Sequence, residues 1–501
     1  MATSARPLRR GEVLALSLLG SYYLPGLYVE DFSCEVPLDW RGKSPAELAG
    51  IDEGEPSRLA AESAALEPDP LFAGEKIKLF WRTLCLPENV GRELPLIVFL
   101  QGGPGGCGPR VNDATTDGWI EEAVKHFRVV LPDQRGTGRS SRIEGSVMEL
   151  LARRAPEVGR DPARLQADYL KRFLADSIVR DFEYLRLSEF SGARWVTLGQ
   201  SYGGFLTLCN LSTFPAGVTA AFTCGGIPHV PIDAEETYRH TVPRMLAKTR
   251  AYYERYPEDE KRVAHIADLL AGGGLRLPDG SAFTVQRLQN CGMGLGMKPA
   301  YEQLHNLFDL AFCGGDGGLG TAAELSSGFL YKVMELTSTA ANPLYWTLQE
   351  FIYADGTLPK PLRWAASRVI GETPELSSEA RPLMFFGEAS LPWMFEENPV
   401  LVPFAAAERQ LMEDVDFGRL YDLDLLAKNE VPLQAAVYFD DLYVDSGLQM
   451  DTLSRIDRSH VWVSNAFEHD GLHGSLVFSH LFKEARDRGD LAELYCKDMQ
   501  R

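Results

Sequence analysis

Hydrophobic residues in the first half of the chain form short, nearly continuous runs, and each run leads into a glycine-containing turn. The runs span residues 96–100, 127–131, 196–198 and 220–223, and segments with helical spacing of apolar residues separate them. Runs of this length are typical of β-strands that are buried on both faces. The pattern therefore predicts an α/β fold, with a mostly parallel sheet covered by helices on both sides.

Four further segments precede or separate these runs. Residues 30–38 and 75–85 alternate apolar and polar positions and are predicted as strands. Between them, residues 41–74 are rich in Ala, Glu, Pro and Ser, which indicates a surface excursion. Apolar residues recur at helical spacing over 167–187, which predicts one long helix before the run at 196–198.

The chain changes character after about residue 228. Residues 234–425 contain long amphipathic segments and almost no strand-like runs. The helices predicted in this stretch include 235–256, 260–270, 301–312 and 324–336. Such a pattern indicates a large helical block inside an α/β domain.

Strands are predicted again at 433–439 and 461–463, and a final helix at 474–486. Because ligands bind beyond the carboxyl ends of the strands in open parallel sheets, we expect the helical insertion to act as a lid over the site. The order of elements predicts two domains, an α/β catalytic domain made of residues 1–228 and 429–501, and a helical cap domain at residues 229–428.

The composition indicates which kinds of molecule the protein is not expected to bind. The chain has 501 residues, 50 Lys and Arg against 70 Asp and Glu, and a net charge of -20. An acidic surface repels phosphate backbones and anionic membranes, so we expect no nucleic acid and no membrane as partner. No apolar stretch approaches the ~20 residues of a transmembrane helix. The sequence makes no prediction of oligomeric state.

The eight cysteines are spread singly, with no C-x-x-C pair. This spacing argues against a disulfide framework and against a zinc site, and it favours reduced thiols in the cytoplasm. Arginines precede an apolar run at 13–19, but the run is short, Glu12 stands at its start, and no small-residue cleavage site follows. We therefore predict a folded N-terminus and a cytoplasmic location.

Ser201 is the candidate nucleophile. It lies in the sequence Gly-Gln-Ser-Tyr-Gly-Gly at 199–204, between a strand-like run and a helical run. This context turns the common G-x-S-x-G string into a candidate nucleophile elbow, in which glycines relieve crowding of a sharp strand-to-helix turn. The alternative is a tight turn with an incidental serine.

A serine hydroxyl needs a base, and the base needs an acid to orient it. In α/β hydrolases the chain order is Ser, then Asp or Glu, then His. Three aspartates follow the predicted strand at 433–439, namely Asp440, Asp441 and Asp445. Neighbouring residues at a strand end point to opposite sides, so the pattern by itself leaves the acid open among them.

The candidate base follows the next strand. His469 and His473 both lie in the loop after 461–463, and the pattern favours His469. His460 precedes its strand and His480 falls inside the last helix, so both are predicted to be structural or solvent-facing.

An oxyanion hole requires two backbone donors aimed at the developing charge. One is the amide of Tyr202, which follows the nucleophile. The other is predicted in the glycine-rich loop at 101–106, where Gly103 is our choice. A phosphate cradle is the alternative for this loop, but the loop lacks the Gly-Lys-Ser/Thr ending of a P-loop and the G-x-G-x-x-G spacing of a dinucleotide site.

Three motifs together resemble one family. The segments 101–105, 133–138 and 199–204 read Gln-Gly-Gly-Pro-Gly, Asp-Gln-Arg-Gly-Thr-Gly and Gly-Gln-Ser-Tyr-Gly-Gly. They are similar to the motifs of prolyl aminopeptidases (proline iminopeptidases), which are serine exopeptidases of the α/β-hydrolase superfamily. The resemblance extends over about residues 28–475, mainly with the longer bacterial branch.

This resemblance implies an α/β-hydrolase fold with a cap and release of an N-terminal proline from peptides with a free N-terminus. The family pattern favours Asp441 as the acid and His469, in its Glu-His-Asp-Gly-Leu context, as the base. It implies that two lid carboxylates, Glu350 and Glu388, hold the charged amino group of the substrate. No metal or cofactor is implied.

The chain departs from the family pattern at two positions. Gln101 stands where short members usually have histidine, and Ala389 stands where methionine often follows the Gly-Glu pair. Both departures bear on how strictly proline is preferred. Trp393 and Phe395 either pack the proline ring or belong to the core of the lid, and we favour the core.

Two alternative functions remain at this point. An esterase or amidase for a small neutral substrate would use the same triad and would not need the lid carboxylates. A catalytically silent α/β hydrolase that acts as a binding protein is the other alternative. Such proteins usually lose a triad residue, whereas this chain has candidates for all three.

Overall fold

The structure is a computed structural model that describes residues 17–313 and 325–496. The apolar run predicted at 13–19 lies mostly outside the described residues, as does the start of the helix predicted at 324–336. Nine strands form one sheet: β1 (Leu18–Leu24), β2 (Leu27–Pro37), β3 (Lys76–Cys85), β4 (Leu96–Leu100), β5 (Arg128–Pro132), β6 (Trp195–Gln200), β7 (Val218–Cys224), β8 (Leu433–Tyr438) and β9 (Ser459–Ser464).

The strand order across the sheet is β1-β2-β3-β5-β4-β6-β7-β8-β9. Strands β1, β2 and β3 pair antiparallel, and β3 pairs antiparallel with β5. All pairings from β5 through β9 are parallel. The mostly parallel sheet predicted from the apolar runs is confirmed.

The continuous apolar runs arise because the parallel strands are buried on both faces. In β4, Ile97 and Phe99 pack into one hydrophobic cluster, with helices Gly118–Ala123 and Leu476–Arg488. The alternate side chains of the same strand, such as Val98, pack into a second cluster on the opposite face. Successive side chains point to opposite faces of a strand, so two covered faces demand apolar residues at every position.

Helices fill the connections between the strands. The α-helices outside the connection between β7 and β8 are Pro45–Ala49, Arg58–Ala64, Gly118–Ala123, Gly145–Arg154, Pro162–Leu170, Ala175–Glu189, Tyr202–Thr213, Ser446–Leu453, Leu476–Arg488 and Ala492–Cys496. Those between β7 and β8 are Ala234–Arg255, Pro257–Ala271, Val285–Asn290, Ala300–Asp309, Ser327–Leu336, Pro343–Leu348, Ala365–Gly371, Pro392–Glu397, Ala405–Glu413 and Leu423–Leu426. Short 3₁₀ helices are Pro87–Asn89, Ala155–Val158, Lys171–Phe173, Pro215–Gly217, Cys291–Gly296, Glu350–Tyr353, Pro374–Leu376, Val402–Phe404 and Gly471–His473.

The long connection between β7 and β8 is helical, as the sequence predicted. Its described residues form two isolated bridges, Arg276 with Ala282 and Phe312 with Leu325, and contribute no strand to the sheet. We call residues 229–428 the inserted segment. No described helix combines the length and the apolar character that a bilayer crossing needs.

The single helix predicted at 167–187 is wrong. The structure has two helices, Pro162–Leu170 and Ala175–Glu189, separated by the 3₁₀ turn Lys171–Phe173 and by Leu174 in an extended conformation. The Arg172 carbonyl within this break accepts a hydrogen bond of 2.6 Å from the guanidinium of Arg135. The buried arginine thus replaces the backbone amide that would donate to this carbonyl in a continuous helix. The apolar spacing continues across the break, which hides it from a periodicity argument.

The first strand, β1, was not predicted from the sequence. It is an edge strand whose residues are mostly exposed, so it has no alternation of apolar and polar positions for a pattern to detect. The surface excursion at 41–74 contains two short helices, Pro45–Ala49 and Arg58–Ala64, and is tied to the core by buried Leu59.

Candidate active site

Ser201 lies between β6 and the helix Tyr202–Thr213, with a φ of 55° and a ψ of -125°. A positive φ is strained for a residue with a side chain, and it is the backbone conformation expected of a nucleophile elbow. The flanking glycines are needed for space: a Cβ at Gly203 would overlap the Leu100 carbonyl oxygen, and one at Gly199 would overlap the Gly203 carbonyl oxygen. The geometry therefore explains why glycines surround the serine.

Asp441 and His469 form a buried hydrogen-bonded pair. The Nδ1–H of His469 donates to Oδ2 of Asp441 at 2.8 Å. The other carboxylate oxygen of Asp441 accepts the backbone amides of Tyr443 at 2.8 Å and Val444 at 3.1 Å. Since both oxygens have fixed partners, the carboxylate orients the imidazole and directs its Nε2 away from the acid.

The other aspartates of this loop have different surroundings. Asp440 is exposed. Asp445 accepts the amide of Leu448 at the start of helix Ser446–Leu453 and binds Arg244 at 2.7 Å. Of the three aspartates at this strand end, Asp441 is therefore the one hydrogen-bonded to His469.

His473 contacts a different aspartate. It is exposed, and its Nδ1 lies 3.2 Å from the carboxylate of Asp117. His480 stacks on Trp462 with ring centroids 4.1 Å apart. His480 thus fits the structural position predicted for it, whereas His473, the alternative candidate base, is bonded to Asp117 instead.

The pKa of His469 is raised above its usual value of 6.5. Burial of the imidazole acts to lower the pKa, but the charge of Asp441 and the hydrogen bond to it outweigh this effect, and Glu388 and Asp470 add to the rise. The surrounding carboxylates stabilise the imidazolium, which is the form that a general base takes after accepting a proton.

Ser201, Asp441 and His469 all lie at the carboxyl edge of the sheet. The side-chain amide of Gln200, next to Ser201, donates to the His469 carbonyl at 3.4 Å. Gly225, at the end of β7, packs so closely that a Cβ there would lie 3.1 Å from Asp441 Oδ2. The structure therefore brings the surroundings of Ser201, Asp441 and His469 together.

The glycine-rich loop lies against the elbow. A Cβ at Gly102 would lie 3.1 Å from the Ser201 Cβ, and Gly103 has a φ of +122° that favours glycine. The loop is anchored from the next strand, because Gln134 Nε2 donates to the Gln101 carbonyl at 2.7 Å. The backbone amides of Gly103 and Tyr202 thus lie at the same end of the sheet, where both could donate hydrogen bonds to a ligand.

Glu388 and Glu350 have different environments. Glu388 is half-buried, and its Oε1 accepts the Tyr345 hydroxyl at 2.5 Å. Glu350 is 1% exposed and accepts the amides of Ala365 at 2.6 Å and Ala366 at 3.4 Å, at the start of helix Ala365–Gly371. Both are acidic groups of the inserted segment.

Burial raises the pKa of both glutamates. For Glu350 the pKa rises to about 7, although the two backbone hydrogen bonds lower it. For Glu388 burial raises the pKa, while the Tyr345 hydrogen bond and the proximity of His469 lower it. The charge of Glu388 therefore interacts with the imidazole of His469.

Tyrosine hydroxyl groups surround these carboxylates, and they were not predicted from the sequence. Tyr238 and Tyr353 are buried, and burial followed by the charges of Glu350 and Glu388 raises the pKa of each hydroxyl. Tyr443 lies edge-on to the His469 ring at 4.7 Å. The one available signal was the position of Tyr443 two residues after Asp441, since the other tyrosines lie far away along the chain.

The two aromatic residues considered for the proline ring differ in burial. Phe395 is 3% exposed and packs edge-on against Trp364 at 5.6 Å. Trp393 is partly buried against the main hydrophobic cluster. The core role that the sequence favoured fits Phe395. Within the described residues, no group of three or more His, Cys, Asp or Glu side chains could hold a metal ion.

Known proteins resemble this chain over most of its length. Residues 95–267 match a family model described as alpha/beta hydrolase fold. The chain is 40% identical over 416 residues to a proline iminopeptidase of Aeromonas sobria, which covers 82% of this chain and 92% of that protein. It is 32% identical over 430 residues to a proline iminopeptidase of Aspergillus aculeatus, which covers 83% and 90%.

A solved structure of a thermophilic esterase from Thermogutta terrifontis is similar at 15% identity and a TM-score of 0.35, over 83% of this chain and 95% of that chain. The two proline iminopeptidases extend the similarity well beyond the matched residues 95–267. The predicted fold and the predicted family are both confirmed. The chain belongs to the proline iminopeptidase family of α/β hydrolases.

Proposed function

We propose that this protein is a serine exopeptidase that releases an N-terminal proline, or a similar small residue, from peptides. The observation that carries the proposal is the buried pair of Asp441 and His469 at 2.8 Å, at the end of the sheet where the strained Ser201 lies. The same site has a carboxylate, Glu388, close enough to influence the pKa of the histidine. Family membership supports the reaction class.

In the proposed reaction, Ser201 Oγ attacks the carbonyl carbon of the N-terminal residue while His469 Nε2 accepts the hydroxyl proton. Asp441 stabilises the resulting imidazolium. The amides of Tyr202 and Gly103 donate to the oxyanion. His469 then gives its proton to the leaving amine of the shortened peptide. Water, deprotonated by His469, hydrolyses the acyl-enzyme and frees the amino acid.

Specificity for a free N-terminus comes from the acidic groups of the inserted segment. An ammonium group bound near Glu388 gains a charge pair, whereas an internal peptide nitrogen is uncharged and leaves the carboxylate unpaired. We propose that Glu388 and Glu350 together hold this ammonium. Loss of one partner of a buried charge pair typically costs about 2–5 kcal/mol, which is enough to separate an exopeptidase from an endopeptidase.

The test of the mechanism is Ser201→Ala. We expect it to abolish hydrolysis of L-proline p-nitroanilide and labelling by a fluorophosphonate, with an unchanged circular dichroism spectrum. The matched control is Ser479→Ala, whose hydroxyl bonds only within its own helix, to the Ser475 carbonyl at 2.7 Å. Full activity of the Ser201→Ala protein would remove Ser201 as the nucleophile.

The test of the substrate class compares L-proline p-nitroanilide with its N-acetyl derivative. We expect the blocked compound to be cleaved at least about 100-fold more slowly, because it lacks the ammonium. Equal rates would instead indicate an esterase or amidase for neutral substrates. Release of free amino acids from a panel of dipeptides then measures how strictly proline is preferred.

Two further parts of the proposal concern organisation. We propose that residues 229–428 act as a cap domain over a catalytic domain of residues 1–228 and 429–501, which the position of the insertion between β7 and β8 supports. We also propose a cytoplasmic location. The seven cysteines with described side chains are all unpaired, which suits a reducing compartment.

A further inference from the structure

The loop that bears His469 is bonded to the inserted segment on both sides of the histidine. The backbone amide of His469 donates to the Gly296 carbonyl at 3.0 Å. The amide of Lys298 donates to the carboxylate of Asp470 at 3.2 Å, and its ammonium donates to the Ala466 carbonyl at 2.8 Å. The catalytic loop therefore rests on residues 296–298, which come from outside the α/β sheet.

Lys248 adds an ion pair to this contact. Its ammonium lies 2.6 Å from Oε1 of Glu468, the residue directly before His469. The two side chains are only 11% and 17% exposed. Burial raises the pKa of Glu468, while Lys248 and then Lys298 lower it. The ammonium of Lys248 thus helps to keep a carboxylate ionised in a position that is costly for an unpaired charge.

The same helix holds the loop of the acid. Arg244, one turn before Lys248 on helix Ala234–Arg255, donates to Asp445 at 2.7 Å and to the Phe439 carbonyl at 2.9 Å. Residues four apart lie on one face of a helix, so one face contacts both catalytic loops.

A second contact lies under the histidine ring. The hydroxyl of Tyr443 donates to the Met293 carbonyl, and the Tyr443 ring lies edge-on to His469. There is no room for a side chain at Gly296, where a Cβ would lie 2.6 Å from the Tyr443 ring. The segment Cys291–Gly296 therefore packs directly against the residues that flank the acid and the base.

We infer that Lys248 is a positioning residue for His469, acting through Glu468, and that the inserted segment helps to build the catalytic base as well as covering the pocket. The inference rests on the proposed function. Loss of the ammonium leaves Glu468 with a half-buried charge and no bonded cation, so the carboxylate moves toward water or takes up a proton. Either change shifts the adjoining His469, and a misplacement of 1 Å can cost about 100-fold in rate.

The test uses Lys248→Met, Glu468→Gln and the double variant in the full-length protein. For each single variant we expect kcat on L-proline p-nitroanilide to fall about 10- to 100-fold, with KM within twofold of the wild type. The rate of Ser201 labelling by a fluorophosphonate falls in parallel, since it also needs the base but no proline. The double variant recovers part of kcat, because no unpaired charge remains.

Two controls make the outcome specific. Lys248→Arg keeps the positive charge and retains kcat within about threefold. Lys332→Met removes an ion pair of similar length, 2.8 Å to Glu335, whose side chains are 60% and 45% exposed, and leaves kcat and KM unchanged. Should Lys248→Met fold poorly, Glu468→Gln carries the test, because it keeps the shape of the side chain.

An unchanged kcat in the folded single variants would overturn the inference. So would a rise in KM at constant kcat, or normal fluorophosphonate labelling, because these results place the effect on substrate binding. Failure of the proposed function is distinguishable, since the wild-type protein itself would then cleave no proline anilide or resist labelling.

Discussion

Glu388→Gln is the sharpest test of how the site selects its substrate. The substitution keeps the shape of the side chain and an oxygen that can accept the Tyr345 hydroxyl, now at 2.5 Å, but it removes the charge. A lost partner of a buried charge pair costs about 2–5 kcal/mol. At 1.36 kcal/mol per tenfold, this corresponds to a fall of about 30- to 5000-fold in kcat/KM for L-proline p-nitroanilide. Glu388 is half-buried, so we expect the lower part of this range, about 100-fold.

The same substitution should also have a favourable effect, which is to make the base available at lower pH. The charge of Glu388 is among the causes that raise the pKa of His469. Without this charge, the imidazole loses its proton at a lower pH and the base becomes available there. The acidic limb of kcat/KM for a neutral ester, p-nitrophenyl butyrate, should therefore move to lower pH, while the plateau rate on the ester is retained.

The assay measures kcat/KM on both substrates from pH 5 to pH 9 for the wild type, Glu388→Gln and Glu396→Gln. Glu396 is an exposed glutamate on the next helix and serves as the matched control. Equal losses on the anilide and the ester would refute the reasoning, because they would show a damaged triad. An unchanged rate on the anilide would refute it too, because the ammonium would then be held elsewhere.

Three further predictions follow from the geometry. Asp441→Asn should lower kcat about 10³- to 10⁴-fold and move the acidic limb of the pH profile to lower pH, since Asp441 raises the pKa of His469. Gly203→Ala should abolish activity and lower the free energy of unfolding by about 1–3 kcal/mol, because the new Cβ would overlap backbone atoms. Gly294 has open space around it, so Gly294→Ala should change neither the activity nor the stability. The pKa of Glu350 is about 7 in the folded protein against 4.5 in the unfolded chain, so the free energy of unfolding should fall by about 3 kcal/mol as pH rises through this window. The urea midpoints of Glu350→Gln at pH 5 and pH 8 should therefore differ less than the wild-type midpoints do. An equal difference in the two proteins would contradict this prediction.

The sequence predicted those parts of the fold that depend on local patterns. The runs at β4 and β6 are buried at every position, so their composition alone identifies central strands. The edge strand β1 is mostly exposed and has no comparable pattern. At the break before Leu174 the Arg172 carbonyl accepts a hydrogen bond from Arg135, and helical spacing carries no information about such a partner.

The residues of the candidate site also fall into those that the sequence predicts and those that it does not. Ser201 could be predicted because the elbow is a local turn, and the need for glycine at 199 and 203 is visible in the string itself. The pairing of Asp441 with His469 required either the family pattern or coordinates, because three aspartates stand at the same strand end. Lys248 could not be predicted, since its partner Glu468 lies more than two hundred residues further along the chain.

The two glutamates implied by the resemblance are equivalent in sequence but not in structure. Both oxygens of Glu350 accept backbone amides at a helix start, and the side chain is 1% exposed, so its bonding capacity is largely used. Glu388 has one oxygen bonded to a tyrosine and remains half-buried. We therefore expect Glu388 to contact the substrate ammonium directly and Glu350 to act on it mainly through its charge. A glutamine at 350 should then raise KM less than a glutamine at 388, and the reverse order would assign the direct contact to Glu350.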